Sequence, residues 1–148
     1  MKPDVDLVLR MLAARLWGGI APVVADAYAR SNLEVAAALL LVAAEDYDRA
    51  ADVRVEENRA LRALFRERSP GVTEPSLRER LAVASEGADE SFRISSLERS
   101  NAALRALLIE LHAHADGRAD AWGAETRTAV WREMSAGAKR RAIGFYPL

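Results

Sequence analysis

Residues 31–68 read SNLEVAAALLLVAAEDYDRAADVRVEENRALRALFRER, with no glycine or proline among them. Ser31 and Glu34 stand three apart in front of an apolar run, the spacing in which a hydroxyl and a carboxylate cap the first turn of a helix. Apolar residues then recur at three- and four-residue intervals to the end of the stretch, which predicts one long helix over 31–68. Downstream, Ser69 to Pro75 contains Pro70-Gly71 and reads as a loop. Ser76 with Glu79 repeats the capping pattern and opens a second long helix, over about 76–116, that Gly117 stops. Gly87 is the one point at which this helix could break, with Asp89 placed to cap a restart. A last helix is expected from Ala119 to Arg141, and the tail Ile143–Leu148, with its Phe145-Tyr146-Pro147, is expected to lie against the surface. Upstream, Asp4 caps a helix that Gly18-Gly19 ends, and Pro22 opens a short segment reaching Arg30. No stretch alternates with period two. The fold class is therefore all-α: an antiparallel helical bundle built on two long helices, 31–68 and 76–116, with shorter N- and C-terminal helices.

The rest of the composition agrees. A chain of 148 residues suits a single domain. A formal net charge of -1 draws it to neither nucleic acid nor anionic lipid. With no cysteine, disulfides, thiolate metal sites and a cysteine nucleophile are all excluded. Asp4, Asp6, Arg10 and Arg15 interrupt any leader-like apolar run at the N-terminus. The most apolar run, Leu33–Ala44, is shorter than the roughly 20 residues a bilayer requires. The expectation is a cytoplasmic protein with no membrane partner.

Placing residues at helical steps shows the face each long helix buries. On the first the stripe runs Ala36, Leu40, Ala43, Tyr47, Ala50, Ala51, Arg54, Asn58, Leu61, Leu64 and Phe65. On the second it runs Ile94, Leu97, Asn101, Leu104, Leu107, Leu108, Leu111 and Ala115. Arg54, Asn58 and Asn101 are polar residues on apolar lines, and a buried polar group without a partner costs about 1–3 kcal/mol. They are expected to form a structural polar layer that sets helix register. Folding the hairpin about residue 72 brings Asn58 level with Glu86 and Arg54 level with Glu90, so Arg54 should pair with Glu90 or Asp89. Asn101 falls too far along to meet Asn58. The alternative reading is a small anionic ligand or metal bound near Arg54, Asn58 and Tyr47, with Arg54 as the anion-binding group. One internal echo is present, Asn58–Leu64 (NRALRAL) against Asn101–Leu107 (NAALRAL).

Leu41, Val42, Val53, Val55 and Ile109 are apolar but lie off the stripes, so they sit either at the centre of the bundle or in a homodimer interface. Chemistry finds little footing. His112 and His114 are two apart and project from different sides of a helix, so they cannot share one metal. The Glu-x-x-His pattern of di-iron carboxylate bundles is absent. A magnesium cluster would want a third acid after Glu56-Glu57, where Asn58, Arg59 and Ala60 stand. Gly18-Gly19 before a helix is a weak anion site, and Lys139-Arg140-Arg141 suits a helix C-terminal dipole better than nucleic acid. The expected function is a non-enzymatic, self-associating helical scaffold or interaction protein, most simply a homodimer, with no cofactor.

Overall fold

A computed structural model describes residues 2–144; Phe145–Leu148, and with them most of the tail's expected placement, lie outside the described residues. The described residues form five α-helices and no strand, as the sequence leads one to expect. They are α1 (Val5–Ala14), α2 (Ala27–Arg68), α3 (Pro75–Glu86), α4 (Ile94–Asp116) and α5 (Ala121–Arg141). The described residues fall into two compact units: 2–50 with 143–144, and Ala51–Ala142. The boundary falls inside α2, a single helix of 42 residues.

The N-terminal unit is a helical hairpin. Asp4 begins α1 by accepting from Val8 N–H through its carbonyl. Gly18-Gly19 do not stop the helix; the chain continues through a π-helical turn, Arg15–Ile20, and a 3-10 turn, Ala21–Val23. The cap of α2 is Asp26, whose carboxylate accepts from Ala29 N–H at 2.7 Å. Ser31 and Glu34 therefore lie inside the helix, and their capping-box spacing goes unused. Asp26 wins because it follows the turn residues Val24-Ala25 directly, and Asp is as good a cap as Ser. Among the described residues of this unit the five buried ones are all alanine: Ala13, Ala21, Ala37, Ala44 and Ala50.

The second unit holds the core. The expected second long helix is two helices, because the chain opens at Gly87 and residues 87–93 turn back before α4 begins. Here too the cap is not the one expected. Glu74, not Ser76, caps α3, accepting from Ser76 N–H at 3.0 Å and from Leu77 N–H. The turn changes the whole topology. Arg54 meets Glu98, Glu57 meets Asn101 and Thr73 meets His114, so residue numbers advance together and α4 runs parallel to the C-terminal half of α2. Arg68 with Glu125 and Glu57 with Arg141 run in the opposite sense, so α5 is antiparallel to both. The unit is an up-down-up-down four-helix arrangement.

Its core is aliphatic around one phenylalanine: Leu61, Leu64, Phe65, Val72, Leu77, Leu81, Leu104, Leu108, Leu111 and Val130. One end is closed by a close approach. A Cβ on Gly71 would come within 2.0 Å of the Trp122 indole nitrogen, so no larger residue fits there without displacing the ring. Arg118 covers the other side of that indole at 4.6 Å and donates to the Gly71 carbonyl at 2.6 Å.

Candidate functional site

α2 presents Glu57, Asn58 and Arg62 to the second unit's interior, and α4 presents Ser100 and Asn101 opposite them. Asp89 enters from the α3–α4 turn and Arg141 from the last residue of α5. Arg62 donates to Asp89 at 2.8 Å and to Ser100 Oγ at 3.0 Å. The amide nitrogen of Asn58 donates to Asp89 at 3.0 Å and more weakly to the Leu97 carbonyl at 3.4 Å. Its amide oxygen accepts from Asn101 at 3.0 Å. Asn101 donates to Glu57 at 3.1 Å, and Arg141 donates to both oxygens of Glu57 at 2.7 and 2.6 Å. Arg141 also donates to the Asn101 amide oxygen at 3.2 Å. The result is one continuous polar chain from Arg62 to Arg141 that crosses the bundle.

Asn58 is 0% exposed, Asn101 1% and Glu57 3%, so their partners decide whether the layer is tolerable. Both amides have donor and acceptor engaged, which meets the requirement on buried polar groups. Burial pushes the Glu57 carboxyl up, but the hydrogen bonds and charge of Arg141, the nearby charge of Arg105 and the Asn101 amide outweigh it, and the net shift is downward. Asp89 behaves alike: burial raises it, and hydrogen bonds from Arg62, Ser100 and Asn58 bring it below the usual carboxylate range. Both shifts favour the ionised form, with Arg141 and Arg62 as the counter-charges.

Of the residues expected in this layer, the structure places Asn58 and Asn101 in it and brings them together. The expectation that Asn101 lies out of reach of Asn58 fails because it assumed one straight helix after residue 76. Once the chain reverses at 87–93, the two asparagines, which are equivalent positions of the internal echo, face each other across parallel helices. The same reversal corrects the expected ion pair. Arg54 meets Glu98 at 2.6 Å, at the exposed edge of the layer, not Glu90 or Asp89; Glu90 is exposed, and Asp89 serves Arg62 and Asn58. Tyr47 belongs to the other unit and is 55% exposed. Sequence reasoning missed Glu57, Arg62, Ser100 and Arg141. Their signal was available in part, since Glu57 and Arg62 flank the Asn58 line at helical spacing and Ser100 adjoins Asn101.

The histidines part company. His112 meets Trp131 edge-on, with ring centres 5.7 Å apart, and lines a cleft of about 240 Å³ with Arg105, Ile109 and Met134. His114 meets Trp122 and takes a hydrogen-bond contact with the Thr73 hydroxyl at 3.2 Å. Among the described residues no group of three or more acidic or histidine side chains is placed to hold a metal ion. Comparison with known proteins finds no matching family, no similar curated protein and no similar solved structure.

Proposed function

We propose that the chain is a non-enzymatic, self-associating helical protein, a scaffold or interaction module, whose N-terminal hairpin pairs with the hairpin of a second copy. One observation carries this reading: the hairpin buries only alanines among its described residues and leaves many of its large apolar side chains exposed. On α2, Tyr28, Val35, Leu39 and Tyr47 are 77%, 56%, 62% and 55% exposed. They follow one another at seven, four and eight residues and so share a face. On α1, Leu7 and Met11 stand 49% and 62% exposed, one turn apart. Large apolar side chains exposed in this number point to an interaction site. The interface residues are not those that the sequence singles out. Leu41, Val42, Val53 and Val55 are half-buried within the chain, and of that set only Ile109, at 70%, is exposed.

Two helices with open apolar faces make half of a four-helix bundle, and a second identical hairpin across a two-fold axis supplies the other half with a self-complementary surface. The segment Ala27–Gly71 also contains an 18-residue stretch apolar enough to cross a membrane by length and composition, with 11% of it buried. Charge favours the second copy over a bilayer. Arg10 and Arg15 fall in the middle of the first helical segment, and carboxylates outnumber basic side chains across residues 2–50. Sedimentation equilibrium at micromolar concentration should give a dimer, and Leu39→Glu should convert it to monomer. A monomeric wild type that co-sediments with lipid vesicles would instead assign the face to a membrane and sink the proposal.

A further inference from the structure

On α2, Arg59, Arg62 and Arg66 follow at three- and four-residue spacing and so share one face. With Val55 they form a wall of a cleft of about 380 Å³, whose opposite wall is the α3–α4 turn with Asp89 and Phe92. This volume lies at the lower end of the roughly 300–1,000 Å³ typical of small-molecule sites. The three guanidinia are committed to different degrees. Arg62 is 12% exposed and tied to Asp89 and Ser100, so it belongs to the buried polar chain. Arg66 donates to the Ser85 carbonyl at 2.8 Å and meets Glu86 at 3.2 Å in a pair whose side chains are 60% and 74% exposed, which water and salt weaken. Among the described residues Arg59 is exposed and makes no ion pair. Phe92 stands 74% exposed at the rim.

Two arginines with spare donors stand beside an exposed aromatic ring, and the one carboxylate in the lining, Asp89, is engaged by Arg62. Planar guanidinia match phosphate oxygens in pairs, and an aromatic face receives a flat apolar group. We propose that this cleft binds a small phosphomonoester carrying a flat apolar group, with the phosphate held by Arg59 and Arg66 and the apolar group against Phe92 and Val55. A nucleic-acid strand fits less well, because Glu56, Glu86 and Glu90 are exposed carboxylates beside the cleft in the chain and would repel an extended polyanion. The site does not depend on self-association, since every residue that lines it belongs to Ala51–Ala142.

Isothermal titration of the full chain with phenyl phosphate, inorganic phosphate and phenol tests the assignment. Phenyl phosphate should bind with a Kd below about 1 mM, inorganic phosphate more weakly, and phenol not measurably. Arg59→Gln should weaken both phosphate probes by about tenfold. Phe92→Ala should weaken phenyl phosphate alone. Glu86→Gln, which releases Arg66, should tighten both by about two- to fivefold. Arg59, Phe92 and Glu86 are all exposed, so the variants should keep the far-ultraviolet circular dichroism of the parent. Absence of binding by either phosphate up to about 10 mM would overturn the proposal. So would an affinity unchanged by Arg59→Gln, or equal affinities for the two phosphates.

Discussion

In the described part of the N-terminal unit every buried side chain is a single methyl group, from Ala13 to Ala50, while leucines, a methionine and tyrosines stand outside. From Ala51 to Ala142 the order is reversed: Phe65, Leu81, Leu97 and Leu111 are inside at 0% exposure, and the helices are pinned by charged and amide groups. Both regions are helical, and the N-terminal one is the richer in apolar residues, so apolar content alone does not say which side faces in. Alanine on a seam lets helix backbones approach closely but buries little area, and burial stabilises by only about 25 cal/mol per Å². Among the described residues the second unit therefore holds the large buried side chains, and the first leaves several of its large apolar ones exposed.

The comparison breaks most visibly at Phe65. Phe65→Ala should cost about 3–5 kcal/mol in denaturant melts, because a fully enclosed ring is replaced by a cavity. A loss under about 1 kcal/mol there would show that the second unit is not the stabilising core.

Next comes the polar chain. Arg141→Ala strands the Glu57 carboxylate, which is 4% exposed, but Arg141 itself is 38% exposed. The full cost of breaking a buried pair is therefore discounted, to about 2–3 kcal/mol. Asn58→Ala should cost about 1–3 kcal/mol by leaving Asp89 and Asn101 each short of a partner. Combining it with Asn101→Ala should cost less than the sum, and strict additivity would deny that the two amides act together.

Acid should act on the same chain. Glu57 and Asp89 both have folded-state values below their unfolded ones of 4.5 and 3.8. Their contribution is fully present above those values and is lost as pH falls through the folded ones, because the unfolded chain then takes up protons more readily. Urea melts of the wild type from pH 6 to pH 3 should lose stability steeply below about pH 4.5, and Glu57→Gln should flatten part of that slope. An identical slope in the variant would remove Glu57 from the account.

The smallest effect on stability is expected on the other side of the comparison. Leu39→Ser lies on the exposed face of the hairpin and should change the stability of the monomer by no more than about 0.5 kcal/mol. It should nonetheless shift the dimer's concentration dependence. A loss of several kcal/mol at concentrations where the chain is monomeric would mean that Leu39 packs within its own chain after all.

How much of this was legible can be read from particular residues. The α4 stripe was right nearly throughout, since Leu97, Asn101, Leu104, Leu108, Leu111 and Ala115 are all buried. On α2 the stripe holds from Asn58 to Phe65 and fails at Ala43 and Tyr47, which are exposed. Periodicity identifies an apolar face but cannot say whether that face meets its own chain. Register was lost at Gly87, because a single glycine is tolerated within many helices and only the packing of α4 against α2 turns it into a reversal. Glu57 was weighed only with Glu56, as the start of a magnesium cluster that lacks a third acid, and Arg141 only as a partner for a helix dipole. A charged residue declares itself buried only when its counter-charge is known, and that counter-charge lies 84 positions away.

That separation bears on rates as well as on equilibrium. The Asn58–Asn101 bond closes 43 residues of chain and the Glu57–Arg141 pair closes 84. Contacts so far apart in sequence are entropically expensive to assemble early, whereas the turn between α2 and α3 brings its neighbours together cheaply. The polar chain is therefore expected to form after the rate-limiting step, as a latch on an already condensed bundle. Weakening it at Arg141 should leave the refolding rate nearly unchanged and show almost wholly as faster unfolding, so the latch governs how long the native bundle survives once made.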